Sequence, residues 1–118
     1  TIAVFSVDRN KINEISKAAQ NGNSLDSFKS ETTLSLAQSI KTLPEAFPTA
    51  INTCGRVCVH HSGDFVIVSN RGHQSIAVFK IEKNNPNKGL LRNVGFYHTR
   101  GETPRHFQFD SSGKYLIV

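Results

Sequence analysis

The sequence predicts an all-β fold, a β-propeller fragment with one complete four-stranded antiparallel blade and parts of two neighbouring blades. Two internal matches point to it. The run from Val59 to Val68 aligns with the run from Phe109 to Val118 at an offset of 50 residues (109 − 59), which is the size of a propeller blade. The run from Thr1 to Asp8 aligns with the run from Ser75 to Glu82 at an offset of 74 residues (75 − 1).

The strands of the complete blade follow from runs of β-branched and aromatic residues that are bounded by turn residues. A hairpin turn at 62–64, a turn at 70–73 and a polar loop at 84–89 separate these runs. The predicted strands are Arg56–His60, Phe65–Ser69, Ser75–Glu82 and Leu90–His98. Four strands joined by short turns favour a propeller blade over a sandwich or a TIM barrel.

The flanking segments are expected to belong to the adjoining blades of a single propeller domain that includes all of 1–118. Residues 1–44 would end one blade with a last strand at Leu34–Thr42, residues 54–98 would form the complete blade, and residues 105–118 would start the next, with its first strand from His106. The chain opens and closes inside apolar alternating runs. Because each blade buries its core against the next, the natural protein is expected to be several times longer.

Residues 9–31 are predicted to be an insertion, which explains the larger offset of the second match. The segment is rich in Asn, Ser, Lys and Gln and has no strand pattern. Ile12, Ile15 and Ala19 keep helical spacing, which predicts a short helix from Lys11 to Ala19. A mobile surface loop is an equal alternative.

Composition narrows the classes of function. The chain has 118 residues, 37% of them hydrophobic and 19% charged, as in ordinary globular proteins. No run approaches the roughly 18 apolar residues of a membrane span, and no secretory leader is visible, so we expect no membrane partner and a cytoplasmic location. The net charge of +5 favours anionic partners, but the basic residues are scattered and not interleaved with aromatic ones, so nucleic acid is not expected.

The two cysteines are expected to be buried free thiols. Cys54 and Cys58 lie four apart in one predicted strand, about 13 Å from each other, which is too far for a disulfide. No matching Cys/His pair at zinc-finger spacing is present, so no metal is expected. No Gly-rich phosphate loop, nucleophile elbow or paired-carboxylate signature is present either, and no cofactor is expected.

One rim of the blade is the candidate site. The meander topology puts the turn at 70–73 and the connection at 101–106 on the same face. Together they carry five basic side chains, with the acidic Glu102 nearby: Arg71, His73, Arg100, Arg105 and His106. Guanidinium groups at a propeller mouth suit a small anionic ligand, because they bind phosphate or carboxylate in a two-point fork. The alternative is that Arg71 and Arg105 bind loop carbonyls or make surface pairs. His60 and His61 fall on the opposite face and are expected to be turn residues.

Four strings carry a resemblance to a known family. They are Leu43–Phe47 (LPEAF), Asn52–Thr53 (NT), Val68–Phe79 (VSNRGHQSIAVF) and Gly101–Phe107 (GETPRHF). In this order they closely resemble the lactonase family of seven-bladed propellers, which includes propeller-type 6-phosphogluconolactonases and the carboxymuconate-lactonising enzymes of fungi. The resemblance covers most of the chain apart from the insertion.

The resemblance implies a lactone hydrolase, a carboxylic ester hydrolase of carbohydrate metabolism and the pentose phosphate pathway. Its substrate would be a small anion, a phosphorylated sugar lactone such as 6-phosphogluconolactone. Arg71 and Arg105 would be the catalytic residues, together with an acidic residue and a histidine from elsewhere on the rim. We also expect Arg56, His73 and His106 to bind the substrate. A carboxylate would serve as general base on water while arginine holds the anion or the developing oxyanion.

The sequence departs from the family pattern at Arg56. The family usually has Asn-Thr-Ala-Ala, then an acid, then Ile-His, whereas this chain has Arg56 in the place of the acid. Arginine stays protonated and cannot take a proton, although anion binding would survive or strengthen. Two hypotheses follow: a lactonase with its base elsewhere in the protein, or a catalytically inactive lactonase-like propeller that serves as an anion-binding or protein-interaction scaffold.

Overall fold

The computed structural model describes all 118 residues, in two compact units. One unit comprises Thr1–Ile2 with Ser39–Val118, and the other is Ala3–Gln38. The regular elements are β1 (Ile2–Val7), α1 (Arg9–Gln20), β2 (Leu34–Ile40), β3 (Thr53–Val59), β4 (Phe65–Arg71), β5 (Ser75–Ile81), β6 (Leu91–His98), β7 (Gln108–Phe109) and β8 (Leu116–Ile117). No helix in the chain combines the length and the apolar character that crossing a lipid bilayer requires.

The predicted complete blade is confirmed as a four-stranded antiparallel sheet in the order β3-β4-β5-β6. Each strand pairs with its neighbour in sequence, as the short predicted turns require. The first strand begins at Thr53, earlier than the predicted Arg56, because Thr53 and Cys54 already pair with Arg71 and Asn70 of β4. The other three strands begin within one residue of their predicted positions.

The core of the blade lies on its two central strands. Residues 66–70 of β4 are all buried, and Phe79 of β5 has no exposed surface. Phe107, from the connection between β6 and β7, is also buried and packs on the apolar face of these strands. Burying a phenylalanine side chain contributes roughly 1.5–3 kcal/mol. Phe107 therefore anchors the connection that carries Arg105 and His106.

A β-bulge interrupts the pairing of β3 with β4. Gly55 and Arg56 both lie opposite Ser69, a serine with no exposed surface. The Ser69 hydroxyl accepts a hydrogen bond of 2.9 Å from the backbone N–H of Arg56 and so replaces a partner in the strand ladder. A β-carbon at Gly55 would lie 2.9 Å from the carbonyl oxygens of Pro104 and Arg105, so the close approach of the two segments requires glycine.

The unit Ala3–Gln38 contains the insertion. The insertion connects β1 to β2, and these two strands pair as a two-stranded sheet. The predicted helix is confirmed, and the alternative of a loop is wrong for this part of the segment. The helix begins at Arg9, before the predicted Lys11, because the Asp8 carboxylate caps it by accepting a hydrogen bond of 3.0 Å from the Lys11 N–H. Lys11 also pairs with Glu31, at the far end of the insertion.

The hairpin of the next repeat is present as β7 paired antiparallel with β8. It begins at Gln108, two residues after the predicted His106, since Phe107 is still packed on the central blade. Between the two strands, the Asp110 carboxylate accepts hydrogen bonds from the N–H groups of Ser112 and Tyr115. The Ser112 hydroxyl donates a further hydrogen bond to this carboxylate. That bond is the main reason why the pKa of Asp110 lies below its ordinary value, and the N–H bonds lower it further.

Candidate functional site

The turn between β4 and β5 lies directly against the connection between β6 and β7. Gln74, the last residue of the turn, makes the contact. Its backbone carbonyl accepts a hydrogen bond of 2.9 Å from the Thr99 N–H, and its side-chain Oε1 accepts one of 2.7 Å from the Thr103 N–H. The two segments that topology assigns to one face are therefore joined by hydrogen bonds.

Arg56 and His106 are in direct contact, although 50 residues separate them in the chain. Nη1 of Arg56 lies 3.2 Å from Nδ1 and 3.0 Å from Nε2 of the imidazole. The guanidinium carbon also lies 5.7 Å from the centre of the Phe107 ring, within range of a cation–π interaction. The bulge at Gly55–Arg56 thus directs a cationic side chain onto the start of the next repeat.

The two predicted catalytic arginines have different surroundings. Arg71 is half-buried, and its Nε donates a hydrogen bond of 3.1 Å to the Thr53 hydroxyl at the start of β3. Arg105 has an exposed side chain, while its backbone carbonyl packs on Gly55. One guanidinium is held in place by the blade, and the other extends into solvent.

His73 turns into the blade. Its Nδ1 lies 2.7 Å from the Ser75 hydroxyl, and its ring packs edge-on to Phe47 with centroids 4.7 Å apart. The ring of His98 lies 5.0 Å away. Burial, followed by the neighbouring His98, lowers the pKa of His73 below its ordinary value. At neutral pH His73 is therefore an uncharged side chain within a hydrogen-bonded cluster.

A buried polar network links His73 to the first strand. Ser75 and Asn70 have no exposed surface, and Asn70 Nδ2 donates to the Ser75 hydroxyl at 3.3 Å and to the Thr42 carbonyl at 2.6 Å. The second bond takes up the Thr42 carbonyl, which lies two residues beyond the end of β2. Asn70 Oδ1 in turn accepts from Asn52 at 3.4 Å. The network fixes the start of β3, the strand that carries Arg56.

The prediction of two buried cysteines is wrong: Cys54 is exposed and Cys58 is only partly buried. Both thiols are free. Cys54 lies on β3, the edge strand of its sheet, so that protein covers it mainly from the β4 side. Its sulfur lies 3.5 Å from the Thr42 hydroxyl.

The local charge of the site is positive. No ion pair joins a carboxylate of the chain to any of the predicted catalytic and substrate-binding residues, which are Arg56, Arg71, His73, Arg105 and His106. The ion pairs join other residues: Lys11 with Glu31, Lys29 with Asp26, Lys83 with Asp64, and Arg92 with Glu82. No group of three or more His, Cys, Asp or Glu side chains is arranged to hold a metal ion. The arrangement offers hydrogen-bond donors to an anion, through Arg56, Arg71 and Arg105.

Sequence reasoning missed two residues that organise the site. Ser69 supports the backbone of Arg56, and Gln74 joins the two segments of the rim. Ser69 carries no signal beyond its polarity inside a buried strand. Gln74 follows the turn residues Gly72 and His73, but nothing in a glutamine indicates the left-handed backbone that it adopts, with φ of 53°.

Comparison with known proteins agrees with these observations. Residues 12–118 match the model of a family described as "Lactonase, 7-bladed beta-propeller". The chain is 38% identical over 81 residues to a 6-phosphogluconolactonase of Bacillus subtilis (strain 168), and this match covers 69% of the chain and 22% of the relative. It is 37% identical, also over 81 residues, to an uncharacterized protein of Lactococcus lactis subsp. cremoris (strain MG1363), covering 69% of the chain and 23% of the relative.

A solved structure is also similar to this chain. The crystal structure of a protein from Lactobacillus plantarum superposes with a TM-score of 0.64 at 27% identity, covering 71% of this chain and 23% of that one. The chain thus spans less than a quarter of the length of the relatives that it matches.

Proposed function

Because this chain belongs to the lactonase family of seven-bladed β-propellers, we propose that the protein containing it hydrolyses a sugar lactone, 6-phosphogluconolactone, to 6-phosphogluconate. The observation that carries the proposal is the cationic rim, in which Arg71 and Arg105 stand on two segments joined by hydrogen bonds. Arg56, on β3, contacts His106 of the second segment. Relatives named 6-phosphogluconolactonase in Bacillus subtilis and Formosa agariphila support the choice of substrate.

The proposed reaction is addition of water to the lactone carbonyl. A general base takes one proton from water as its oxygen attacks the carbonyl carbon, and the carbonyl oxygen becomes an oxyanion. Arg71 and Arg105 hold this oxyanion and the substrate anion by charge-assisted hydrogen bonds. The ring C–O bond then breaks, the ring oxygen takes up a proton, and the product is a hydroxy acid.

Arg56 and His106 would bind the anionic end of the substrate. Nη1 of Arg56 is engaged with His106, so the rest of the guanidinium is held in one orientation by the imidazole and by Phe107. Since arginine cannot serve as the base, the proposal assigns that role to a carboxylate on a part of the protein outside the 118 residues. The reaction would belong to carbohydrate metabolism in the cytoplasm, in the pentose phosphate pathway.

The test is hydrolysis of 6-phosphogluconolactone by the full-length protein, followed by pH-stat against spontaneous hydrolysis. Arg71→Ala and Arg105→Ala should each lower kcat by about 10²- to 10³-fold, as loss of an oxyanion donor does. Arg9→Ala, at an exposed arginine of the insertion, is the matched control and should retain the wild-type rate. Equal rates for all three variants would contradict the proposed roles.

The Arg56→Glu variant separates the enzyme from the inactive scaffold. Wild-type turnover that drops in Arg56→Glu would support an enzyme whose base lies elsewhere and whose Arg56 binds the anion. No turnover in wild type, with turnover gained in Arg56→Glu, would mean that the propeller has lost its chemistry, and the anion-binding scaffold would replace the lactonase.

A further inference from the structure

The chain has three residues other than glycine with a left-handed backbone, and all three lie at the candidate site. Gln74 has φ of 53°, Arg100 has φ of 61° and Thr103 has φ of 54°. The first belongs to the turn after β4 and the other two to the connection after β6. Residues with side chains persist in this conformation only where the surroundings impose it, and such strain clusters at functional sites.

Gln74 makes hydrogen bonds to both segments of the rim. Its Oε1 accepts hydrogen bonds from the Thr103 N–H at 2.7 Å and from the Gly72 N–H at 3.4 Å. Its carbonyl accepts two more from Thr99, from the N–H at 2.9 Å and from the hydroxyl at 3.1 Å. A single residue therefore accepts hydrogen bonds from both segments of the rim.

The positions of these bonds relate Gln74 to the two predicted catalytic arginines. Gly72 follows Arg71 in the chain, and Thr103 precedes Arg105 by two residues with the rigid Pro104 between them. A shift of either backbone segment would move its guanidinium relative to the other. Catalysis depends on such distances, because a displacement of about 1 Å at a reacting group lowers rates by about 10²-fold.

We propose that Gln74 is a positioning residue, whose Oε1 holds the Arg71 turn and the Arg105 connection in the relative placement that lactone hydrolysis requires. This inference rests on the proposed function, since it takes both arginines to act on one substrate. A turn that needed only a left-handed residue would be served better by glycine, which adopts that conformation at no steric cost. The side chain of Gln74 thus serves a purpose that turn formation does not explain.

The test compares three variants of the full-length protein. Gln74→Gly removes the side chain and relieves the strain, Gln74→Ala removes the side chain and keeps the strain, and Gln74→Glu keeps an acceptor oxygen at the Oε1 position. In Gln74→Gly and Gln74→Ala, kcat for 6-phosphogluconolactone should fall about 10-fold, equivalent to one lost hydrogen bond, with KM changed less. Gln74→Glu should retain most of the activity.

A purely structural role predicts a different pattern. In that case activity would follow the melting temperature, so Gln74→Gly, the less strained variant, would be more active than Gln74→Ala. The positioning role predicts that the two variants differ in melting temperature and lose activity equally. Activity that follows melting temperature across the series, or no loss of activity in either variant, would overturn the inference.

A second readout does not depend on turnover. Amide hydrogen exchange at Thr103 should speed up about 10-fold in Gln74→Ala and stay near the wild-type rate in Gln74→Glu. Arg100→Gly is the matched control: it relieves strain in the same connection, leaves Oε1 in place, and should keep the Thr103 amide protected. If the wild-type protein hydrolyses no lactone while Thr103 responds as expected, the proposed function fails and the coupling of the two segments stands. Unchanged exchange in Gln74→Ala would overturn the coupling itself.

Discussion

At the scale of single residues, the site is determined by side chains whose partners lie far away in sequence. Arg56 contacts His106, and the Arg56 backbone is held by Ser69. His73, predicted to lie on the rim beside Arg71, instead packs edge-on to Phe47, which precedes β3. The residue types were visible in the sequence, but their orientations depended on a bulge and a turn that only the folded chain shows.

The lowered pKa of His73 predicts a loss of stability in mild acid. The folded protein holds this imidazole neutral, whereas the unfolded chain protonates it at about pH 6.5. Stability from this group is therefore present above about pH 6.5 and is lost as the pH falls through the lower folded-state pKa. His73→Asn keeps a polar group near the Nδ1 position without the titration, so its free energy of unfolding should fall less steeply between pH 7 and pH 5. Parallel curves for variant and wild type in urea titrations would contradict this assignment.

Ser69→Ala should destabilise the fold through the bulge. The variant leaves the partly buried Arg56 N–H without its partner, which costs about 1 kcal/mol of unfolding free energy. Urea unfolding of the full-length protein measures the effect. Ser111→Ala changes an exposed serine in the next hairpin and should lie within about 0.5 kcal/mol of wild type. If Ser69→Ala matches this control, the hydroxyl does not stabilise the bulge.

At the scale of elements, turns repeat their geometry with different residues. Asp110 uses its carboxylate to accept from Ser112 N–H in the β7–β8 turn. His60 occupies the equivalent place after β3, and its Nδ1 accepts from the Ser62 N–H at 3.3 Å. With Nδ1 as acceptor, Nε2 carries the proton and donates to the Gly113 carbonyl at 3.1 Å, which joins the two repeats. His60 is thus a turn residue, as predicted from its position, with an added contact to the next hairpin.

The turn after β4 requires glycine at position 72. Gly72 has φ of 126°, and a β-carbon there would lie 2.1 Å from the Ile51 carbonyl oxygen. Gly72→Ala should therefore lower the unfolding free energy by at least about 2 kcal/mol, because both strain and a backbone clash oppose it. Gly101→Ala is the matched control, since a β-carbon at Gly101 meets nothing within 4 Å. Equal midpoints in urea for the two variants would contradict the steric argument.

At the scale of the whole molecule, several apolar faces are open in the 118 residues. Large side chains that remain more than half exposed occur in the outer strands: Phe5 at 51%, Leu36 at 62%, Val57 at 61% and Ile117 at 69%. An apolar pocket of about 370 Å³ also opens between the face of β4 and β5 and the β7–β8 hairpin, lined by Phe65, Ile67, Ile76, Val78, Phe109 and Leu116. In a propeller each blade packs on the next, so faces of this kind are expected to be covered by neighbouring blades.

Binding of the dye ANS measures these open faces. The isolated 118-residue chain should give a fluorescence increase several-fold larger, per mole, than the full-length protein, because exposed apolar surface binds the dye. The full-length protein is the control for any surface site that both share. Equal fluorescence from the two would mean that neighbouring blades do not cover these faces.

The sequence alone is enough to predict the repeat, the four strands of the blade and the family, and it leaves a helix and a mobile loop as equal alternatives within the insertion. These features depend on local patterns, since alternating apolar residues and turn residues repeat within each 50-residue unit and helical spacing appears within one segment. The conformations of single residues in the site left no such pattern.

The contacts among the predicted site residues depend on tertiary packing. The bulge at Gly55–Arg56, the packing of His73 on Phe47 and the left-handed Gln74 all depend on contacts between residues that are distant in the chain or on opposite strands. Side-chain identity does not encode such contacts, because the same serine or glutamine would be an ordinary polar residue on another surface. The partners become fixed only when β3, β4 and the connection after β6 pack around Phe107.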